Sequence, residues 1–237
     1  MRNDPRAERV LERTRSAFDQ AVTAARADRE PRTRAVLEAT KWFEPTDRDA
    51  RHDAILDVLA QWNARSVLEV GAGAGDFYAR LKRRLPAARA YTGVDLSPRM
   101  VEVARRRFAG SDFRCADVLA WPAAPVADAV VAIGVFALLV DDAPAHWRLM
   151  RRLVRKMLAL SRIGIVFDFY DFFTDDEARA PARYFAREKG RTDDTPIFCV
   201  HPRRVRELAA TLGPVALMRI HEVEGRVWRC VLRRPLR

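Results

Sequence analysis

Three glycines between a short apolar run and a helix-like segment are the residues of this chain best suited to hold a ligand. Residues 67–70 read as a buried strand, and Gly71, Gly73 and Gly75 follow it. A strand that ends in a glycine-rich turn before a helix lets the backbone approach a ligand closely. Asp95 comes twenty residues after Gly75, at the end of a second predicted strand, where an acid can accept hydrogen bonds from both hydroxyls of a ribose. The pattern therefore predicts a site for a nucleotide-like ligand.

Two nucleotide chemistries share this layout, and the residue at position 76 separates them. A dinucleotide site requires a small residue at the sixth place of G-x-G-x-x-G/A, and Asp76 stands there. The segment instead reads Glu69-x-Gly71-x-Gly73-x-Gly75, which resembles the first motif of the class I S-adenosylmethionine (SAM)-dependent methyltransferases. The resemblance implies SAM as the cofactor and S-adenosylhomocysteine (SAH) as its product.

The resemblance extends over about residues 64–237 and implies roles for residues that follow the later strands. Asp95 in Gly-Val-Asp-Leu-Ser is similar to the family's ribose-binding acid, and Asp117 in Cys-Ala-Asp-Val is similar to the acid that holds the adenine amine. Gly134 ends a segment similar to the fourth strand, which finishes beside the methionine part of SAM. Ligands of open parallel sheets bind beyond the carboxyl ends of the strands, so we expect these residues and the glycines around one cleft.

Each of these positions also has a structural alternative, which the sequence leaves open. Glycines after a strand can simply make a turn, Asp95 can cap a helix, and Asp117 can begin a loop. Glu69 points at the glycine loop, where its carboxylate can organise backbone donors without touching SAM. Three apolar residues can sandwich the adenine or belong to the core: Leu96, Met100 and Val118. The joint placement of the glycines and the two aspartates favours the cofactor site.

Predicted strands and helices alternate from Ser66 onward. Strands are expected near 66–70, 90–94, 112–115, 127–133 and 163–169, and helices near 76–85, 98–108, 143–160 and 202–212. This alternation predicts a parallel sheet with helices on both faces. Residues 215–232 read as an antiparallel hairpin around Glu224-Gly225, which dinucleotide folds normally lack. The expected fold class is α/β, with a Rossmann-like, seven-stranded, mostly parallel sheet and a C-terminal antiparallel hairpin.

Helices predicted before the first strand form a cap on this sheet. One is expected over residues 6–27, a second over about 32–41, and a third after a cap at Thr46. The third helix directs four apolar side chains inward: Ile55, Val58, Leu59 and Trp62. The expected organisation is one domain with a helical N-terminal cap over 1–63, a SAM-binding core over 64–237 and, within that core, an acceptor-region insert at about 172–200.

Methyl transfer from a sulfonium is an in-line displacement, so the protein mainly has to align the nucleophile and exclude water. A hydroxyl or a weak amine acceptor also benefits from a general base. Asp168 and Tyr170 end the fifth predicted strand, and His146 follows the fourth, so we expect all three beside the acceptor. His201 is a further candidate, and the alternative for each residue is a surface or satisfied polar group.

Aromatic residues are frequent in the parts added to the minimal fold, which should form the acceptor pocket. They occur at Trp42 and Phe43, between Phe136 and Trp147, and in the insert at about 172–200. Such rings can stack a planar substrate or attract a methylated cation, and they can equally close a lid over SAM.

The net charge of +11 suggests nucleic acid or an anionic surface as a partner. Only four of the 43 basic residues are Lys, however, which indicates the codon bias of a GC-rich genome more than selection for a basic groove. One predicted helix carries five cations at helical spacing: Arg148, Arg151, Arg152, Arg155 and Lys156. They form either a phosphate-binding stripe or, as we favour, the solvated side of a helix.

The three cysteines form no metal-ligand or disulfide pattern. Cys115 and Cys230 fall in predicted strands, where a buried, inert thiol is expected. The N-terminus lacks the apolar stretch of a signal peptide, and the longest apolar run, 129–140, is too short to span a membrane. We therefore expect a reduced, cytoplasmic protein with no membrane partner.

The expected activity is methyl transfer from SAM to an O, N or C nucleophile of a small organic molecule, with specialised metabolism as one setting. The segment after the fourth strand, Ile133-Gly-Val-Phe136, lacks the Asn/Asp-Pro-Pro-aromatic motif of exocyclic-amine nucleic-acid methyltransferases. It also lacks the Pro-Cys pair of cytosine-C5 enzymes. An RNA or protein side-chain acceptor remains the alternative, with a SAM-binding partner protein that transfers no methyl as a third.

Overall fold

The computed structural model describes residues 5–27, 45–137, 142–171, 198–220 and 227–234. Seven strands in these ranges form one sheet in the order β3-β2-β1-β4-β5-β7-β6. They are β1 Ser66–Val70, β2 Ala90–Asp95, β3 Asp112–Cys115, β4 Ala127–Ala132, β5 Ser161–Tyr170, β6 Val215–Arg219 and β7 Val227–Arg233. β1 to β5 pair in parallel, whereas β7 runs antiparallel to both β5 and β6. The predicted mostly parallel sheet with an antiparallel C-terminal pair is confirmed.

Six α-helices in the described ranges flank the sheet. They are α1 Pro5–Ala27, α2 Pro45–Gln61, α3 Asp76–Arg84, α4 Pro98–Arg107, α5 Ala143–Leu160 and α6 Pro202–Ala210, with a short 3-10 helix at Val118–Ala120. α2 begins at Pro45, so Thr46 lies inside its first turn and not at its cap. The helix predicted at about 32–41 and the hairpin turn at Glu224-Gly225 lie outside the described residues, as do Trp42, Phe43 and most of the insert.

Helices cover both faces of the sheet, and alternate residues of the central strands pack against them. On one face, α2 and α3 pack on the sheet through Ile55, Leu59, Phe77 and Leu81, which meet Val67, Val131 and Val166. On the other, α5 and α6 do so through Met150, Val154, Met157 and Val205, which meet Leu68, Val130 and Ile165. Full burial of each such side chain stabilises the fold by about 1.5–3 kcal/mol. This core fixes the carboxyl ends of β1, β2, β4 and β5 at one edge.

α1 lies against α4 and α5. Its Val10 is completely buried, and Asp19 accepts a hydrogen bond from the Ser97 hydroxyl at the start of α4 (2.5 Å). The helix predicted over 6–27 is therefore present, and it packs beside the loops that follow the first strands. None of the helices within the described ranges combines the length and the apolar character needed to cross a membrane.

Two cysteines and the basic stripe differ in part from expectation. Cys230 is buried in β7, and burial raises the pKa of its thiol. Cys115 is exposed, contrary to the prediction, because β3 is an edge strand and Cys115 is its last residue. In the stripe, Arg151 and Arg155 are exposed, whereas Lys156 donates a hydrogen bond to the Trp121 carbonyl. The stripe is thus partly a solvated helix face and partly packed.

Candidate active site

The turn after β1 adopts a backbone that only glycine accommodates easily. Gly71, Gly73 and Gly75 have φ values of 74°, 52° and 84°, all in the left-handed region. The Gly71 N–H donates to the Val94 carbonyl of β2 (2.8 Å), which ties the turn to the neighbouring strand. A Cβ at position 71 would stand 2.5 Å from Cγ2 of Val135. The sequence therefore makes a tight turn here in which glycine backbone, without side chains, lies at the carboxyl edge of the sheet.

Asp95 holds the glycine turn and the start of α4 together. Its Oδ2 accepts a hydrogen bond from the Gly73 N–H (2.8 Å), and its Oδ1 accepts one from the Ser97 N–H (2.9 Å). Burial raises the pKa of Asp95, although these backbone donors oppose the shift. A carboxylate offers about four acceptor positions, so the two contacts leave room for ribose hydroxyls. The structural and the ligand-binding roles of Asp95 are compatible.

Asp117 follows β3 and caps the 3-10 helix, because its Oδ1 accepts a hydrogen bond from the Leu119 N–H (2.8 Å). Arg107 of α4 fixes the other side of the glycine turn. It donates to the Ala74 carbonyl (2.7 Å) and to Asp76 (2.8 Å). Asp95 and Asp117, the two acids predicted to hold the nucleoside, therefore both have local structural partners as well.

One cavity at this edge collects almost all of the predicted site residues. Nine of the ten predicted cofactor residues line it: Glu69, Gly71, Gly73, Asp95, Leu96, Met100, Asp117, Val118 and Gly134. The tenth, Gly75, lies outside the lining, and a Cβ there would stand 2.9 Å from Phe108 and Phe113. Gly75 therefore shapes the turn. The predicted catalytic residues His146 and Tyr170 line the same cavity, whereas Asp168 and His201 do not.

Asp168 forms a buried ion pair behind the cavity wall. Its Oδ2 lies 2.6 Å from Nε of Arg51, and its Oδ1 accepts a hydrogen bond from the Gly134 N–H (2.7 Å). Nη1 of Arg51 donates to the Tyr170 hydroxyl (2.9 Å). Because the Asp168 side chain is fully buried and both its oxygens are engaged, its geometry does not suit the predicted general base. Its position instead suits a residue that holds the Arg51 guanidinium and the Gly134 N–H in place.

Arg51 and His52 of α2 are cavity residues that the sequence reasoning missed. Both are buried, at 3% and 2% exposure, and both line the cavity. The available signal was their position on α2, since residues 51 and 52 share the inward face of Ile55 and Leu59. A charged residue on an apolar helix face indicates a buried partner or a ligand. The prediction that the N-terminal cap supplies pocket residues is consistent with this placement.

An ion-pair network joins α2 to α3 and fixes how α2 presents these residues. Arg80 of α3 pairs with Asp53 and with Asp49 of α2 (2.6 Å to Asp49). The hydrogen bond from Arg80 is the main reason why the pKa of Asp53 falls to about 2. His52 packs edge-on against Phe77, with ring centroids 5.4 Å apart. Burial, with repulsion from Arg48, Arg51 and Arg80, holds the pKa of His52 well below 6.5.

His52 should make the protein less stable in mild acid. Unfolding exposes an imidazole that binds a proton near pH 6.5, whereas the folded protein keeps it neutral, so stability falls as the pH drops below 6.5. We expect a loss of up to about 1.4 kcal/mol per pH unit from this residue. Urea unfolding of the wild type and of His52→Gln between pH 7 and about 5.5 measures it. An unchanged pH slope in the variant would contradict this account.

Buried Glu69 affects the pH dependence of stability in the opposite direction from His52, so the two contributions have to be measured separately. Burial raises its pKa in the folded state, so its contribution is present at low pH and lost as the pH rises through that value. The Glu69→Gln variant should therefore show a steeper loss of stability on acidification than the wild type, and this provides the control for His52→Gln.

Comparisons with known proteins bear on this arrangement. The family described as "Methyltransferase domain" matches residues 67–157. An uncharacterised methyltransferase of Mycobacterium tuberculosis is 31% identical over 121 residues, which are 51% of this chain and 54% of the relative. A trans-aconitate 2-methyltransferase of Rhodopseudomonas palustris is 38% identical over 109 residues, 45% of this chain and 41% of that protein. The chain thus spans about half the length of the curated relatives it matches.

Solved structures agree with the fold. The N-methyltransferase NodS from Bradyrhizobium japonicum, in complex with SAH, has a TM-score of 0.59 at 18% identity and covers 92% of this chain and 99% of its own. The plantazolicin methyltransferase BpumL, also with SAH, has a TM-score of 0.61 at 13% identity, with coverage of 97% and 99%. Residues 67–157 thus match a methyltransferase domain, and the strand order together with the solved structures shows that the chain has the fold of the class I SAM-dependent methyltransferases. The cofactor of this family is SAM.

The residues on the cavity wall fit this cofactor. Two carboxylates stand at the ends of β2 and β3, where a ribose and an adenine amine need acceptors. Met100 and Val118 add apolar surface to the same cavity, and the glycines of the turn have no side chains to occupy it. Asp95 and Asp117 are the residues that would hold the nucleoside, and Gly71, Gly73 and Gly134 line the same cavity.

Removal of the Asp95 carboxylate should weaken SAM binding. We expect Asp95→Ala to lower the affinity by about 1–3 kcal/mol, the cost of losing hydrogen bonds to a charged acceptor. Isothermal titration calorimetry measures the change. Asp112→Ala is the matched control, because Asp112 pairs with Arg114 on the edge strand outside the cavity and should leave the affinity unchanged. Equal affinities of wild type and Asp95→Ala would show that the ribose lies elsewhere.

Proposed function

We propose that this protein transfers a methyl group from SAM to an O, N or C nucleophile of a small organic molecule. The observation that carries the proposal is the single cavity shared by the predicted cofactor residues and by His146 and Tyr170. SAM, when bound, supplies a methyl group that the sulfonium charge already activates. The protein then has to hold the acceptor in line, exclude water and take up the acceptor's proton.

His146 is the residue that we propose as the general base. It lies near the start of α5, is 6% exposed and stands on the cavity wall. Its ring lies against Phe198, with centroids 5.4 Å apart, and this contact restricts its orientation. Among the predicted bases it combines access to the cavity with an imidazole, the side chain that most often serves as a general base.

Tyr170 suits an orienting role better than a base role. Burial raises the pKa of its phenol, although Arg51 opposes the shift, so the hydroxyl stays protonated. Because the oxygen accepts a hydrogen bond from Arg51, the phenol proton is directed away from the guanidinium. Tyr170 can then donate to an oxygen of the acceptor, while Asp168 keeps Arg51 in place.

A small acceptor with an acidic group is the finer form of this proposal. The four acids of the cavity wall belong to the first three strands and the segments that follow them, whereas Arg51, two imidazoles and a phenol come from α2, α5 and β5. Arg51 stands on the wall and its partner Asp168 lies behind it, so the positive side of the pair faces the cavity. The Rhodopseudomonas relative is named for trans-aconitate, a small organic acid, which gives independent support.

The test is to incubate the protein with methyl-labelled SAM and separate fractions of small molecules and RNA from its host. Label in an acidic small-molecule fraction is the expected result. Label confined to RNA or protein would replace the proposal with the macromolecular alternative, for which the charge of +11 is the motivation. Firm SAM binding without label in any fraction would leave a SAM-binding partner protein.

A further inference from the structure

Glu69 is a buried carboxyl on the cavity wall with very little to stabilise its negative charge. It is 3% exposed and accepts a hydrogen bond from the Tyr91 hydroxyl of β2. Within the described ranges no lysine or arginine pairs with it, and the charged groups that act on it are Asp76 and Asp95, both acids. Burial, reinforced by those two acids, raises the pKa of Glu69 well above 4.5, and the Tyr91 hydrogen bond only partly opposes this.

The other acids of the cavity have stronger support. Asp76 pairs with Arg107, and Asp95 accepts hydrogen bonds from two backbone N–H groups. Asp117 caps a helical turn through the Leu119 N–H. Two arginines of the described residues line the cavity: Arg51 of α2 pairs with Asp168, and Arg15 of α1 pairs with Glu12. His52, also on that wall, stays neutral because of its lowered pKa. Glu69 is therefore the cavity acid most ready to hold a proton.

We propose that SAM binding expels a proton from Glu69, and that SAH binding expels less. The inference rests on the proposed cofactor site. A cation that enters the cavity favours the ionised form of an adjacent carboxyl, and the ionised carboxyl in turn attracts the cation by the same free energy. SAM carries a sulfonium charge that SAH lacks. Glu69 would thus favour the methylated form of the cofactor and help the product to leave.

The proton balance of the cycle is simple. The Glu69 O–H bond breaks on SAM binding, and the proton passes to solvent. Transfer of the methyl group turns the sulfonium into a neutral thioether, so the carboxylate loses its counter-charge. Glu69 then takes a proton back, and the site returns to its starting charge when SAH departs. The proton of the methyl acceptor leaves separately, through the proposed base or directly to solvent, and no redox step is involved.

Calorimetric titration in two buffers of different ionisation enthalpy counts the protons released. At about pH 6 the amino groups of SAM and SAH both stay protonated, so the difference between the two ligands reports on the protein. We expect more protons released with SAM than with SAH, and no such difference in Glu69→Gln. Affinity for SAM should rise by up to tenfold per pH unit while Glu69 is protonated in the free protein, and affinity for SAH should rise less steeply.

Two neighbouring tyrosines provide a matched pair of variants that leave the carboxyl in place. Tyr91→Phe removes the hydrogen bond that favours ionised Glu69, so the rise in SAM affinity should move to higher pH. Tyr78→Phe alters the same aromatic cluster, but the Tyr78 hydroxyl is bonded to Ser111 and should leave the profile unchanged.

The outcomes separate this inference from the proposed function. Equal proton release by SAM and SAH in the wild type, or undiminished release in Glu69→Gln, would overturn the role of Glu69 while the cofactor site stands. A shift of the profile in Tyr78→Phe equal to that in Tyr91→Phe would overturn it as well. Failure of both ligands to bind the wild type would instead remove the cofactor site itself.

Discussion

Replacement of Arg51 with methionine should destabilise the protein by about 3–5 kcal/mol, because it leaves the Asp168 carboxylate buried without a counter-charge. Urea unfolding at neutral pH measures the loss. Arg106→Met is the surface control: Arg106 pairs with Glu102 at 69% exposure, and its loss should change the stability by less than about 0.5 kcal/mol.

A double variant distinguishes an unpaired charge from lost packing. Arg51→Met with Asp168→Asn removes both charges and keeps an amide oxygen that can accept the hydrogen bond from the Gly134 N–H. We expect it to recover most of the stability that the single variant loses. Equal losses in the single and the double variant would show that the loss comes from the missing Arg51 contacts and not from an unpaired buried charge.

The second large effect should appear in catalysis. We expect His146→Ala to lower kcat by about 100- to 10,000-fold, the contribution of a positioned general base, while SAM affinity stays within twofold of the wild type. The limb of the pH profile that reports the base should vanish with it. His201→Ala is the control, since His201 lies outside the cavity at the start of α6 and should leave kcat unchanged.

Turnover of His146→Ala within threefold of the wild type would show that acceptor alignment alone carries the reaction. The orienting role of Tyr170 would then be the next to test with Tyr170→Phe. That change keeps the ring over which the Arg51 guanidinium lies, 5.1 Å from its centroid, and removes only the hydroxyl.

The sequence predicts the strand, the glycine turn and the helix beside the candidate cofactor site well, because the signals for these elements are local. The strand before Gly71, the turn and the start of α3 follow from neighbouring residues, and the predicted bounds of β1 and of α5 agree with the structure. Asp95 ends β2 and Asp117 lies two residues after β3, so the order of the parallel sheet brings them to one edge. Periodicity and glycine placement determine these features within short segments.

The acceptor half depends on contacts between distant segments, which periodicity does not reveal. Arg51 and Asp168 are 117 residues apart, and only the packing of α2 against β5 brings them together. The ion pair engages Asp168, which the sequence suggested as a base. The packing of α2 also puts Arg51 and His52, which the sequence did not predict as site residues, on the cavity wall. Cys115 is exposed for a related reason, since the strand order and not the sequence of β3 makes that strand an edge.

A crystal structure of the protein soaked with SAH tests the central claim most directly. We predict the nucleoside beyond the carboxyl ends of β1, β2 and β3, with the ribose hydroxyls on Asp95, the adenine amine beside Asp117 and the homocysteine part running towards Gly134. An empty cavity at saturating SAH, or a nucleoside held by residues other than these two aspartates, would contradict the account.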